Sequence, residues 1–476
     1  MNFKKNKHIL KITLLLIIIT FIFTGCSKTD NSIPLKSSLS EILQSQPNFS
    51  ILKSAIDITN LNALINTGNV TFFAPTNLAF IAFFSNSNGV YTKIEDVPVP
   101  LLKQILLNHF LTGQFLKDNL ISGYYSTLSF GNSSSINPMS LYVLNNGTIK
   151  LNGISTVVNG DVIARNGILH AVDQVLNLPN ITNQIVANPN FDLFKQALTS
   201  STQPTGLLSF PTILSANGTF TVFAPTNAAF SKLGLNSTND LLVLNQTFLT
   251  NTLLYHVGNG DRPFSSFMIG TSYGSALGVN RKFITRGADT FVNGSKIVIK
   301  DVSASNGTVH AIDKVMLATG VDIAQSTIAL TQSKVFTSPE LTFLLEAVLY
   351  CNLAGVLSAP NGPYTVYAPN DEAFKKLGVI LGVPLNKPSD IRTLPVATVT
   401  QVLLTHVFAG EKFTSELNGG TVTALNGQVV TLGAYNDGVL TVKGGGNGVN
   451  VANMVIPDVK CSNGIVHVID RVLLPN

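Results

Sequence analysis

The chain has 476 residues, of which 45% are hydrophobic and only 12% charged, with no Trp and a formal net charge of +5 at pH 7. Residues 1–25 hold four Lys and no acidic residue, so setting them aside lowers the charge by four to +1. What remains has no excess of basic charge of the kind that binds nucleic acid or acidic lipid. Its many Asn, Thr, Ser and Gly suit a secreted, turn-rich protein with much β-structure.

The N-terminal stretch reads as a targeting segment. Lys4, Lys5, Lys7 and Lys11 precede an apolar run from Ile12 to Phe23, shorter than the roughly 20 residues a permanent spanning helix needs. The run ends in Phe23-Thr24-Gly25-Cys26, followed by polar Ser27-Lys28-Thr29-Asp30. Small residues before a Cys at this place resemble the bacterial lipobox, which implies cleavage before Cys26 and a lipid-modified N-terminus. Ser27 in place of Asp resembles the outer-membrane sorting pattern. Residues 26–38 are then a polar tether.

Three similar segments follow, expected over 39–180, 181–322 and 323–476. Each opens with apolar residues at helical spacing: Phe49, Leu52, Ala55 and Ile56; then Phe191, Phe194, Ala197 and Leu198; then Leu341, Leu344, Leu345 and Val348. A first motif comes next, Thr71-Phe-Phe-Ala-Pro-Thr-Asn-Leu-Ala-Phe80, repeated at Thr221 to Phe230 and, with Asn370-Asp371-Glu372, at Thr365 to Phe374. Its β-rich start predicts a strand that the Pro ends, and Thr76, Thr226 and Asn370 are placed to cap the helix that follows. An apolar helix ending in His109, His256 or His406 is expected after that corner, then short strands with Gly and Asn turns.

A second motif closes each copy without a gap, from Asp161 to Leu176, Asp301 to Met316 and Asp458 to Leu473. Asn-Gly marks a turn at 166–167, 306–307 and 463–464, and the apolar run beyond it predicts a strand buried on both faces. A period near 150 residues is that of a globular domain, too long for a solenoid unit. Helices followed by strands predict an α+β fold.

The paired motifs resemble the two signature regions of the fasciclin-like domain family, over nearly all of the chain beyond the tether. That family's central Tyr-His pair is intact at Tyr255-His256; Asn108-His109 and Thr405-His406 keep only the His. The resemblance implies a seven-stranded β-wedge with a helix cluster, extracellular roles in adhesion, and binding contributions from the Tyr-His region and the second motif.

Six of the seven His lie in the repeats, and the second of each pair, His170, His310 or His467, stands three residues before an Asp. On a strand those two side chains point to opposite faces and cannot share a metal. The expectation is therefore a buried imidazole bonded to backbone or to Asp161, Asp301 or Asp458, with no metal, cofactor or catalytic role. Gly270-Thr-Ser-Tyr-Gly274 matches a nucleophile-elbow pattern but lacks a strand leading into a helix. Cys351 and Cys461 are both departures from the repeat and fall in the same copy, which in an oxidising compartment leaves two readings, a disulfide within the third segment or two independent buried thiols.

Function is expected to be binding. The leading reading is a lipid-anchored adhesin on the cell envelope, its three modules facing protein or polysaccharide partners, with no nucleic acid. The alternative is a glycan- or peptide-capture lipoprotein beside an outer-membrane transporter. Sugar platforms commonly use Trp, and Tyr124, Tyr125, Tyr142, Tyr273 and Tyr435 do not recur at equivalent positions.

Overall fold

The computed structural model describes residues 36–131, 137–199, 210–215, 218–332, 341–358 and 360–476. The targeting segment, Cys26 and most of the tether lie outside the described residues. Ser37 to Asn476 forms one compact unit, built from three copies of one α+β architecture.

In the first copy the strand of the first motif, Val70–Pro75, lies parallel to that of the second, Gly167–Val172, pairing Val70 with Gly167 and Pro75 with Val172. The remaining strands are antiparallel, and the sheet closes with Phe110–Thr112 at one edge and Gly123–Ser126 at the other. The same seven-strand order recurs in the second and third copies. Every residue of the closing strands Gly167–Val172, Gly307–Ile312 and Gly464–Ile469 is buried. These strands end earlier than the apolar runs predicted.

The central position of the two motif strands explains their composition. Phe72 and Ala74 face a helical layer with Phe49, Leu52 and Leu106, while Phe73 faces the interior of the curled sheet with Leu141, Val143 and Val172. The Asn-Gly turn is dictated by close approach. A Cβ at Gly307 or Gly464 would collide with the carbonyl of Phe220 or Tyr364 on the adjacent parallel strand, and φ at Gly307 is +139°.

The predicted caps form: the Thr76, Thr226 and Asn370 side chains accept from the backbone N–H of Ala79, Ala229 and Ala373. The opening helices span Ser50–Thr59, Asp192–Thr199 and Thr342–Tyr350. In the third, Phe343 takes a core position against Phe374, their rings 5.6 Å apart, and Leu345 is only half-buried. Ordered elements join the copies, including the helices Ile181–Ala187 and Ile323–Gln332.

Of the two readings of Cys351 and Cys461, the structure has the free thiols and not the disulfide. Cys351 ends the helix Thr342–Tyr350 with Sγ toward the Val396 carbonyl, whereas Cys461 is buried at the end of a strand with Sγ toward the Val459 carbonyl. Departing from the repeat in the same copy does not bring two positions together. Gly270-Thr-Ser-Tyr-Gly274 runs into the edge strand Ser272–Gly274 and has no elbow geometry.

Candidate functional site

The recurring His residues occupy two structurally constant positions. At the first, Nδ1 of His109, His256 and His406 lies 2.8, 2.6 and 2.8 Å from the carbonyl four residues back in its own helix. The opposite nitrogen, Nε2, accepts the backbone N–H of Leu176, Met316 or Leu473 at 2.9, 3.0 and 2.8 Å. A main-chain N–H can only donate, so these rings are neutral with the proton on Nδ1. Each ring rivets the end of its helix to the segment beyond the closing strand. Burial holds their pKa at about 4, against an ordinary 6.5, and the hydrogen bond to the helix carbonyl opposes this only in part.

The second position uses the other tautomer. Nδ1 of His170, His310 and His467 accepts the N–H of Asp161, Asp301 and Asp458 at 3.1 to 3.2 Å. Nε2 then donates to the carbonyl of Phe115, Arg262 or Lys412. Each ring stacks at 5.5 Å on the aromatic residue of the first motif, Phe73, Phe223 or Tyr367. Desolvation lowers the pKa of all three.

The partner Asp residues sit at a β-bulge in the left-handed region, with φ of +60°, +57° and +63°. Their carboxylates do not serve as the imidazole's hydrogen-bond partner. They accept instead from the N–H of Lys117, Phe264 and Thr414, at 2.8, 2.6 and 2.7 Å, where a short 3-10 turn begins. Asp173, Asp313 and Asp470 likewise accept from Thr156, Lys296 and Asn453 on the neighbouring strand. Tyr255 is buried, donating its hydroxyl to the Asn280 carbonyl and accepting from Asn293 Nδ2 at 2.7 Å.

Further motif side chains do similar work that the sequence reading missed. Asn77 and Asn227 accept from the N–H of Ile51 and Leu193 near the start of the opening helix, and Asp371 does so from Phe343. Asn166, Asn306 and Asn463 accept from Leu39, Ile181 and Ile323, fixing the preceding helix of each copy. Their recurrence with acceptor oxygens was the available signal; the partners lie up to 140 residues away. A metal ligand or general base needs a free ring nitrogen. All six of these imidazoles have both committed, and among the described residues no group of three His, Cys, Asp or Glu gathers as a metal site.

The junctions pair residues peculiar to one copy, such as Lys314, with residues common to the repeat, such as Asp458. At the second, Lys314 Nζ lies 2.7 Å from Asp458 Oδ2, both side chains only 11% exposed, and also donates to Thr414 Oγ1 and the Gly438 carbonyl. Burial alone would raise the Asp458 carboxyl, but Lys314, His467 and the hydrogen bonds from Lys314 and Thr414 hold it below the ordinary carboxylate range. The short strand Leu317–Ala318 adds to the third sheet by pairing with Val459 and Lys460. Arg286 lies 4.0 Å over the Tyr435 ring and donates to the Ser415 and Leu417 carbonyls. At the first junction Gln184 Nε2 donates to the Ser140 and Ser303 carbonyls, and Tyr124 donates its hydroxyl to the Gln184 carbonyl.

Comparison with known proteins agrees with this threefold geometry. A family profile described as Fasciclin domain matches residues 47–179, 189–318 and 339–475. Human periostin is 25% identical over 448 residues, covering 92% of this chain and 47% of periostin. The transforming growth factor-beta-induced protein ig-h3 of Sus scrofa is 27% identical over 263 residues, covering 54% of this chain and 35% of that protein. The chain thus spans half or less of the length of these two relatives. A solved domain pair of the insect cell adhesion molecule fasciclin I aligns with 56% of this chain and 97% of its own, at 18% identity and a TM-score of 0.37. The chain belongs to the fasciclin domain family, with three tandem copies of that domain.

Proposed function

We propose that this protein is a lipid-anchored adhesion protein of the cell envelope, held through Cys26 at the outer membrane and presenting three fasciclin modules to protein or polysaccharide partners. One observation carries the reading. The polar side chains of both motifs are turned inward onto backbone groups, so repetition maintains a scaffold and recognition belongs to module surfaces. Family membership supports an extracellular adhesive role, as the resemblance implies. Tandem modules add avidity, since a second contact becomes intramolecular at an effective concentration of order mM. Among the described residues no helix is long and apolar enough to cross a membrane, and the anchor in this reading is the lipid on Cys26.

The test compares cells producing the wild-type chain with cells producing Cys26→Ser, scored for attachment to immobilised matrix protein and to a glycan array. Attachment that is lost when Cys26→Ser releases the protein supports the reading. Saturable binding to one oligosaccharide without attachment of cells contradicts it. His256→Ala should lower the melting temperature, because it removes the rivet on Met316 N–H.

A further inference from the structure

Each of the first two modules carries a groove at the same place, and only one is filled. The walls are the segment after the first motif, the tip of a hairpin, and the end of the second motif with the residues just beyond it. In the second module Lys232, Leu233, Gly294, Lys314 and Val315 form these walls, and the third module's Asp437, Val439 and residues 454–458 close over them, leaving about 230 Å³. Lys232 pairs there with Asp437 at 3.2 Å, and Lys314 with Asp458.

In the first module Phe83, Tyr91, Ile154 and Val175, with the polar Gln174 and Asn177, line a space of about 560 Å³, and among the described residues of the second module only Ser305 reaches it. The second module seats instead on Ser140 and Tyr124 through Gln184. Ile154 at the hairpin tip stays 60% exposed. The two lysines of the filled groove have Ala82 and Gln174 as their counterparts, and among the described residues no charged side chain lines the open one.

We infer that the open groove of the first module is a docking site for an uncharged, extended polypeptide segment of a partner protein. The chain itself shows what such a groove takes: Met454, Val455, Pro457 and Asp458 of the strand Ala452–Cys461 border the homologous site. The acidic group of that segment, Asp458, answers Lys314, and Asp437 beside it answers Lys232. Without those lysines an acidic segment would be desolvated with no counter-charge, so the first groove selects a neutral one.

This deepens the adhesion reading by naming a partner class, and it is tested separately from it. The probe is an end-blocked, fluorescent peptide with the sequence of residues 453–459 and Asp458→Asn, titrated into the mature chain. Saturable binding is expected, weakened at least about tenfold by Ile154→Asp, with the melting temperature of that variant unchanged. The unmodified acidic peptide should bind more weakly, and the Ala82→Lys, Gln174→Lys double variant should reverse that order. No binding, binding indifferent to Ile154→Asp, or an order the lysines do not reverse overturns the inference. So does self-association or glycan binding that Ile154→Asp abolishes, since the occupant is then a second copy or a polysaccharide. If Ile154→Asp loses the peptide but keeps cell attachment, the groove is not the adhesive surface and the adhesion reading stands. If wild type binds peptide without attaching, only the adhesion reading falls.

Discussion

The two junctions join the same kind of module in different ways. The second is a fusion: a buried ion pair, a strand from one module added to the next sheet, and a helical core continuous from Ile181 to Val472. The first is a seam of neutral hydrogen bonds around Gln184, and the helical core of the first module stays within that module. Modules two and three are thus expected to behave as one block, with module one able to move or unfold apart from it. What distinguishes the junctions is a handful of positions that the repeat leaves free, Lys314 against Gln174 above all.

Acid should separate the two bodies most strongly. His109, His256 and His406 have folded pKa values of about 4 against an ordinary 6.5. Their contribution is fully present above pH 6.5 and is lost as pH falls toward 4, because the unfolded chain takes up protons that the folded chain refuses. Each ring is worth about 3 kcal/mol across that window. The block holds two of them and the first module one, so urea unfolding at pH 4.5 and 7 should show about twice the loss in the block.

Lys314→Ala comes next. It leaves the Asp458 carboxylate buried without its cation, at a cost of about 3–5 kcal/mol. Urea unfolding should show that cost in the block alone, with the transition of the first module unmoved. An equal effect in both bodies would erase the distinction between the junctions.

The contrast between junctions also marks where sequence reasoning reached and where it stopped. Thr76, Thr226 and Asn370 were legible as caps because a cap and its target are three residues apart. Burial of the closing strands was legible because an unbroken apolar run has no polar face. Asn166, Asn306 and Asn463 looked like turn residues, since their second role, holding a helix that begins over a hundred residues earlier, leaves no local pattern. Asp161 and Asp458 are the same letter in the same motif, yet only Asp458 meets a lysine from another module. Whether Cys351 and Cys461 pair was not legible, for the related reason that co-occurrence carries no distance.

Gln184→Ala sharpens the other side. It removes the buried donor to Ser140 across the seam and to Ser303 within the block, costing about 1–3 kcal/mol, and should raise proteolysis near 179–188 and lower the block's urea midpoint modestly while the transition of the first module stays put. Tyr435→Ala has the smallest expected effect. Losing the ring under Arg286 should cost about 0.5–2 kcal/mol, read as a small drop in the block's urea midpoint.

The most direct measurement exploits the absence of Trp from the chain. Single reporters are placed at Phe84→Trp, Tyr273→Trp and Tyr364→Trp, one in each module, and each variant is unfolded in urea. The account predicts that the second and third reporters share one midpoint and that the first has its own. Three distinct midpoints, or a first reporter that coincides with the other two, would contradict it.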